Sequence, residues 1–156
     1  MSIEKVKAYF ESKGMLDRVM ELDLSSATVD LAAKALGVEG CRIAKTLSFS
    51  VLEKPVLVVA AGDARIDNAK FKAFFHVKAK MLSHEDAANL IGHAVGGVCP
   101  FAVNAEVEVY LDESLKRFET VFPACGSGNS AIELTIKELE LHSCFLRWVD
   151  VCKLPE

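Results

Sequence analysis

Apolar and polar residues alternate along the stretch 41–51, which predicts a half-buried β-strand. One face of this strand would carry Ile43, Leu47, Phe49 and Val51. Lys45 falls on the same face. An ammonium group there must reach water, find an acceptor or lie at the mouth of a cavity, because an unpaired buried charge is costly or loses its proton. Lys45 is therefore either an ordinary strand-end lysine or the lysine of a binding site.

Similar patterns predict the other elements. The apolar run 56–61 follows Pro55 and suits a central strand covered on both faces. Further strands are predicted at 19–24, 107–111, 118–122, 131–134 and 148–152. Helices are predicted at 2–13, 28–36, 69–75 and 84–91, and after the Thr-x-x-Glu capping box that begins at Thr135. Strands of mixed direction between helices indicate an α/β fold.

Length and composition predict one globular domain over residues 1–156. Hydrophobic residues make up 51% and charged residues 26%, and no internal repeat or linker interrupts the chain. The apolar runs are too short to cross a bilayer, and the amino end lacks the apolar centre of a signal peptide. We therefore expect a cytoplasmic protein without a membrane partner.

The cysteines, the histidines and the net charge limit the kinds of site and partner that the chain can have. The five cysteines form no Cys-x-x-Cys pair and the four histidines no His-Glu-x-x-His motif, so we expect neither a disulfide framework nor a metal or other cofactor. The net charge of −4 argues against wrapping duplex DNA. Between residues 65 and 80, however, five basic residues accompany one acid, Asp67. This segment is either a solvated helix face or a phosphate-contacting edge formed by Lys70, Lys72, Lys78 and Lys80.

Two glycine-containing loops are the other candidate site elements: the stretches 96–101 and 126–129. Paired glycines let a ligand approach main-chain N–H groups, so the first loop is either a cradle for a carbonyl group or a tight turn. Neither nucleotide-binding motif is complete. Glu39 and Ala44 occupy positions where a P-loop needs glycine, and Ala131 occupies the third glycine position of a dinucleotide fingerprint. Cys99 and Cys125 lie in or beside these loops, but no partner for a catalytic thiol is identifiable in the sequence.

Four of these motifs, in this order, resemble the YbaK-type aminoacyl-tRNA deacylases, which are freestanding relatives of the editing domain inserted in bacterial prolyl-tRNA synthetases. The motifs are Ile43-Ala44-Lys45-Thr46-Leu47-Ser48-Phe49, Ala60-Ala61-Gly62-Asp63, Val95-Gly96-Gly97-Val98-Cys99-Pro100-Phe101 and Gly126-Ser127-Gly128-Asn129. The resemblance spans almost the whole chain. It implies a mixed, partly barrel-like β-sheet surrounded by helices, and hydrolysis of the ester that joins a wrong amino acid to tRNA.

The resemblance also implies roles for individual residues. Lys45 would bind and polarise the terminal aminoacyl-adenosine, and backbone groups of Gly96 and Gly97, in the loop that ends at Pro100, would hold the carbonyl region. A ribose hydroxyl of the substrate would assist the attacking water, so no nucleophilic side chain is needed. The remaining substrate-binding residues would be Thr46, Asp63, Val98, Cys99, Pro100, Phe101, Gly126, Ser127, Gly128 and Asn129.

The resemblance favours tRNA-Pro carrying cysteine or alanine as substrate, although serine, threonine or a non-protein amino acid stay open. Some relatives that clear alanine carry histidine after the asparagine of the second loop, whereas here Ser130 follows Asn129. The expected partners are the acceptor end of aminoacyl-tRNA and, as a candidate, prolyl-tRNA synthetase. The competing function is a non-catalytic module that holds an amino acid or aminoacyl-tRNA for a synthetase.

Overall fold

The computed structural model describes residues 2–94 and 96–155, so Val95 of the first glycine loop lies outside the described residues. The helices are α1 (Ser2–Ser12), α2 (Val29–Leu36), α3 (Asn68–Phe75), α4 (His84–Asp86) and α5 (Ile136–Ser143). A π-helical turn, Ala87–Ile91, continues α4, and 3-10 turns lie at Leu16–Arg18, Gly40–Arg42 and Glu113–Arg117. None of these described helices has the length and apolarity to cross a bilayer.

The strands form one large sheet and two small ones. They are β1 (Met20–Glu21), β2 (Ile43–Val51), β3 (Lys54–Ala61), β4 (Arg65–Ile66), β5 (Glu108–Asp112), β6 (Thr120–Pro123), β7 (Ser130–Ala131), β8 (Leu134–Thr135), β9 (Arg147–Val149) and β10 (Cys152–Lys153). The large sheet has the order β8-β6-β2-β3-β5-β9, while β1 pairs with β7 and β4 with β10. Parallel and antiparallel pairs are mixed and the sheet curls into half a barrel, which confirms the predicted fold class.

Strand β3 is the centre of the large sheet, as its apolar run predicts. It pairs antiparallel with β2 and parallel with β5, and the residues from Leu57 to Ala61 are fully buried. A two-residue turn, Leu52 and Glu53, joins β2 to β3 with positive φ at both positions, as the tight hairpin geometry requires. The long β2–β3 hairpin therefore anchors the sheet to which the site residues are attached.

Two apolar clusters hold the helices on this sheet. In the main core, Phe71 of α3 lies 4.8 Å from Phe49 of β2 between ring centres, and Phe10 of α1 lies 5.0 Å from Phe101. Helix α2 packs separately, through a small cluster of Ala32, Ile43 and Phe122. This second cluster brings the start of α2 against the first residues of β2.

Several predicted strands are shorter than their apolar patterns. Within the predicted strand 148–152, the N–H of Val151 donates to the Asp112 carboxylate at 2.9 Å, so the segment divides into β9 and β10. The predicted strand 131–134 divides between β7 and β8, which pair with different partners, and 19–24 pairs only at β1. Each of these strands therefore ends where its hydrogen-bonded partner strand ends, not where its apolar pattern ends.

Candidate functional site

A cavity of about 650 Å³ opens beside β2. One edge of β2 pairs with β3 along its whole length, whereas the other pairs with β6 only at Ile43 and Ala44. Farther along that second edge, Ser48 and Ser50 exchange backbone hydrogen bonds with residues 80–82. Among the described residues, 45–47 have no strand partner there, and this gap in the sheet faces the cavity. The residues that line the cavity are 26–29, Ala32, 43–48, 81–84, Ala87, Gly96, Val98, Phe122, Ala124, Ser130 and Ala131.

Lys45 lies in the cavity wall with its ammonium group held by the backbone. Its Nζ donates to the carbonyl oxygens of Ala64 and, at 3.4 Å, of Gly62. Burial lowers the pKa of Lys45, while Cys152 and Asp63 partly offset this effect. An ammonium group has three N–H donors, so these two carbonyls leave one for a ligand. Lys45 is therefore a fixed, half-buried cation in the wall of a cavity, not a strand-end side chain that reaches into water.

The carbonyls that hold Lys45 depend on a close backbone contact. A Cβ atom on Gly62 would collide with the carbonyl oxygen of Gly40, so only glycine fits at this turn. The next residue, Asp63, forms hydrogen bonds of 2.6 and 3.1 Å with the guanidinium of Arg117, which lowers the pKa of its carboxyl group. Asp63, one of the predicted substrate-binding residues, is not part of the cavity lining. Instead, it ties down the turn that presents the two carbonyls.

The first glycine loop contributes Gly96 and Val98 to the cavity wall. Gly96 has φ +87°, a conformation that favours glycine. Gly97 is buried, and its N–H donates to the carbonyl of Ala94 at 3.0 Å. A Cβ on Gly97 would lie 2.5 Å from backbone atoms of Gly126 and Ser127, so the two glycine loops pack backbone to backbone. Gly97 thus sets the distance between the loops.

The second glycine loop supports the cavity from behind. The cavity lining includes Ser130 and Ala131 but not the four residues before them, which are predicted to bind substrate: Gly126, Ser127, Gly128 and Asn129. Gly128 accepts a hydrogen bond from the N–H of Ser26 at 2.7 Å, and Asn129 exchanges bonds with the backbone of Leu22. The loop therefore holds the segment before α2, which forms the opposite wall of the cavity.

The predicted substrate contacts at Cys99, Pro100 and Phe101 are buried away from the cavity. Cys99 and Phe101 are fully buried, and Nε2 of His93 lies 2.7 Å from the Phe101 carbonyl oxygen and 3.6 Å from the Cys99 sulfur. Burial raises the pKa of Cys99 to about 12 and raises the pKa of Cys125 further. Reactive thiols need the opposite shift, so the structure argues against a thiol-dependent hydrolase.

The predicted phosphate-contacting lysines differ in their surroundings. Lys70 donates to Asp150 at 3.0 Å and to the Cys152 carbonyl at 3.1 Å, so its ammonium group is engaged. Lys72, Lys78 and Lys80 are exposed. Lys80 directly precedes Met81, which forms part of the cavity rim.

The structure adds residues that the motifs do not reveal. Ser26 and the segment 81–84 line the cavity, although both stretches read in the sequence only as helix caps. Thr28 and Ser83 are the N-caps of α2 and α4, which explains why both stretches have the sequence pattern of a helix start. That pattern does not indicate that the residues beside the caps line a cavity. Within residues 2–94 and 96–155, no group of three His, Cys, Asp or Glu side chains is arranged to hold a metal ion.

Comparison with known sequences relates the chain to a protein family. The profile of the aminoacyl-tRNA editing domain matches residues 25–141. The uncharacterized protein YwhH of Bacillus subtilis (strain 168) is 53% identical over 154 residues, which is 98% of each chain. The proline–tRNA ligase of Bacillus cereus (strain AH820) is 25% identical over 120 residues, which cover 76% of this chain and 20% of the ligase.

Two solved structures share the fold along almost the whole chain. One, assigned provisionally as a trans-editing enzyme for prolyl-tRNA synthetase, is 29% identical with a TM-score of 0.86 and 97% of both chains covered. The other, hypothetical protein APE2540, is 26% identical with a TM-score of 0.83, covering 96% of this chain and 99% of its own. The predicted resemblance and fold are therefore confirmed.

The contact between the two glycine loops gives a stability prediction. Gly97→Ala should lower the free energy of unfolding by about 1–3 kcal/mol, because its Cβ meets backbone atoms that cannot turn aside. Gly128→Ala is the matched control, since its Cβ would make an ordinary 3.6 Å contact with Ala27. Urea denaturation of the three proteins measures the difference. Equal stability of Gly97→Ala and the parent would contradict the assigned packing.

Proposed function

Because the chain belongs to the aminoacyl-tRNA editing domain family, we propose that it hydrolyses the ester of misacylated tRNA in trans. The proposed substrate is tRNA-Pro carrying cysteine or alanine. The observation that supports this proposal most strongly is the fixed ammonium group of Lys45, which lies in the wall of a cavity that Gly96 also lines. The similarity to a proline–tRNA ligase and to a structure assigned to trans-editing supports the choice of tRNA.

In the proposed reaction, Lys45 and the loop from Gly96 to Pro100 hold the aminoacyl-adenosine end. The remaining N–H of Lys45 polarises the aminoacyl ester, and a ribose hydroxyl of the substrate orients the attacking water. Water oxygen bonds to the carbonyl carbon, the bond from that carbon to the ribose oxygen breaks, and a proton from water passes to the ribose oxygen. Free amino acid and uncharged tRNA leave. Positioning and charge stabilisation suffice for an activated ester.

The apolar end of the cavity supports a small amino acid. Val29, Ala32, Ile43 and Phe122 form this end, with Ala131 beside them. Such a wall favours the side chains of alanine and cysteine over polar ones, although each methylene contributes only about 1–3 kcal/mol to discrimination. The Ser130 hydroxyl is bound within its own loop, where it accepts from the Cys125 N–H at 3.2 Å. Ser130 therefore contributes to the shape of the cavity wall, and its hydroxyl has no acid–base role at the ester.

The direct test is multiple-turnover deacylation of tRNA-Pro charged with cysteine, alanine or proline, with enzyme well below substrate. We expect several cycles on one misacylated species and at least about a hundredfold loss in Lys45→Ala, since one donor to the reacting oxygen contributes that much. Lys137→Ala, which removes an exposed lysine of α5 outside the cavity lining and outside the basic segment 65–80, is the control for charge. Protection of the ester at a one-to-one ratio, without turnover, would contradict catalysis and favour the binding module.

The proposed role of the Lys45 ammonium predicts a pH dependence of binding. Burial lowers the pKa of Lys45 from the ordinary 10.5, so the charged form disappears earlier as pH rises. Affinity for a non-hydrolysable 3′-aminoacylamino-adenosine should fall through a midpoint below 10.5. Lys45→Arg should bind with little change over the same range, because a guanidinium stays protonated. Calorimetric titration from neutral pH upward checks this, and identical profiles for both proteins would contradict it.

The lysines near the rim predict the salt dependence of tRNA binding. Replacing Lys78 and Lys80 with glutamine should weaken binding and reduce the slope of log affinity against log salt by about 0.7 for each phosphate that is no longer neutralised. Lys70→Gln should change the slope less, because the Lys70 ammonium is already paired with Asp150. Filter binding at several salt concentrations measures these slopes. A slope unchanged in the double variant would remove both residues from the interface.

A further inference from the structure

The segment 80–84 lies at one end of the cavity and is fixed to the edge of β2. The N–H of Ser50 donates to the carbonyl of Lys80 at 2.9 Å. The N–H of Leu82 donates to the carbonyl of Ser48 at 3.1 Å. The segment then continues into α4. These contacts give its backbone a defined position, and four of its residues line the cavity.

Met81, in this segment, lies on the same face of the sheet as Lys45. It is opposite Phe49 in an antiparallel bridge, and directly opposed residues point to the same face. The side chains two and four residues before Phe49, those of Leu47 and Lys45, share this face. Met81 is 58% exposed, although a large apolar side chain gains from burial. The end of the cavity therefore presents an uncovered apolar surface on the face that carries Lys45.

Three levels follow one another along this face of β2. Ile43, in the apolar end of the cavity, comes first, Lys45 is next, and Phe49 with Met81 is last. At about 3.3 Å per residue, Lys45 lies roughly 7 Å from Ile43 and roughly 13 Å from Phe49 along the strand. An amino acid side chain at the Ile43 end, with its ester at Lys45, leaves the longer interval towards Met81 for the ribose and its base.

His84 adds an aromatic ring to the same end of the cavity. It is exposed and lines the cavity, whereas the hydroxyl of the preceding Ser83 is engaged in capping α4, where it accepts from the Asp86 N–H at 3.1 Å. Imidazole rings stack on unpaired bases, and the sulfur of methionine makes favourable contacts with aromatic rings. Lys78 and Lys80 are exposed just before this segment, so the phosphates that precede a bound base would meet positive charge.

We infer that the terminal adenine of the aminoacyl-tRNA lies against Met81 and stacks on the ring of His84. This assignment rests on the proposed function, through its substrate. It gives the substrate one direction along β2, with the amino acid side chain at the apolar end, the ester at Lys45 and the adenine at 81–84. Met81 and His84 are then binding residues for the base, and their contacts hold the ester beside Lys45.

The test measures affinity for two non-hydrolysable ligands by calorimetry: 3′-alanylamino-adenosine and the same compound with hydrogen in place of the adenine. The parent should bind the second ligand at least about tenfold more weakly, because it lacks the base that stacks. His84→Ala and Met81→Ala should each weaken binding of the adenosine ligand, about tenfold for His84→Ala, and should leave binding of the base-free ligand unchanged. His84→Phe keeps a ring and should retain affinity. Leu90→Ala is the matched control, because Leu90 is 41% exposed, follows α4 and lies outside the lining of this cavity.

The outcomes separate the base assignment from the proposed hydrolysis. Equal affinity of the parent for both ligands, or an adenosine affinity unchanged in His84→Ala and Met81→Ala, would overturn the base assignment and leave hydrolysis, measured by turnover, intact. Binding of AMP as tight as that of 3′-alanylamino-adenosine would indicate a site for free nucleotide and would also overturn it. A parent that binds the adenosine ligand through His84 but turns over no misacylated tRNA would support the base assignment and overturn the proposed hydrolysis.

Discussion

The site depends on how the fold holds one ammonium group. Lys45 lies on the apolar face of a strand, where a charge without a partner would be costly. The carbonyls of Gly62 and Ala64 accept its hydrogen bonds, and the turn that carries them requires glycine at 62 and the ion pair between Asp63 and Arg117. The central hairpin, this turn and the cavity are therefore parts of one arrangement around Lys45.

The glycines of the two loops act mainly through close packing. Gly97 lets the first loop touch the backbone of the second, and the second loop in turn holds the segment that carries Ser26. This part of the cavity wall therefore depends on three segments far apart in sequence that are joined by backbone contacts. The spacing between these segments gives the cavity its shape, which suits the proposed catalysis by positioning.

The sequence predicts the main strands, the helices and the position of Lys45 within β2, because periodicity and caps are local signals. It does not predict where β9 and β10 divide, since a carboxylate of Asp112, distant in the chain, takes the N–H of Val151. For the same reason, Asp63 and Cys99 belong to motifs but not to the cavity lining, whereas Ser26 belongs to the lining without any motif. Some motif residues therefore support the fold, and contacts between distant segments determine which residues line the cavity.

We propose that the aminoacyl end of the substrate binds beside the stretch of β2, residues 45–47, that has no strand partner on the cavity side. Titration of the isotope-labelled protein with a non-hydrolysable 3′-alanylamino-adenosine, followed by backbone amide NMR, tests it most directly. The largest chemical-shift changes should occur at 45–47, at Gly96 and Val98, and at Ser26, which line the cavity. Saturable shift changes confined to other parts of the protein would contradict it.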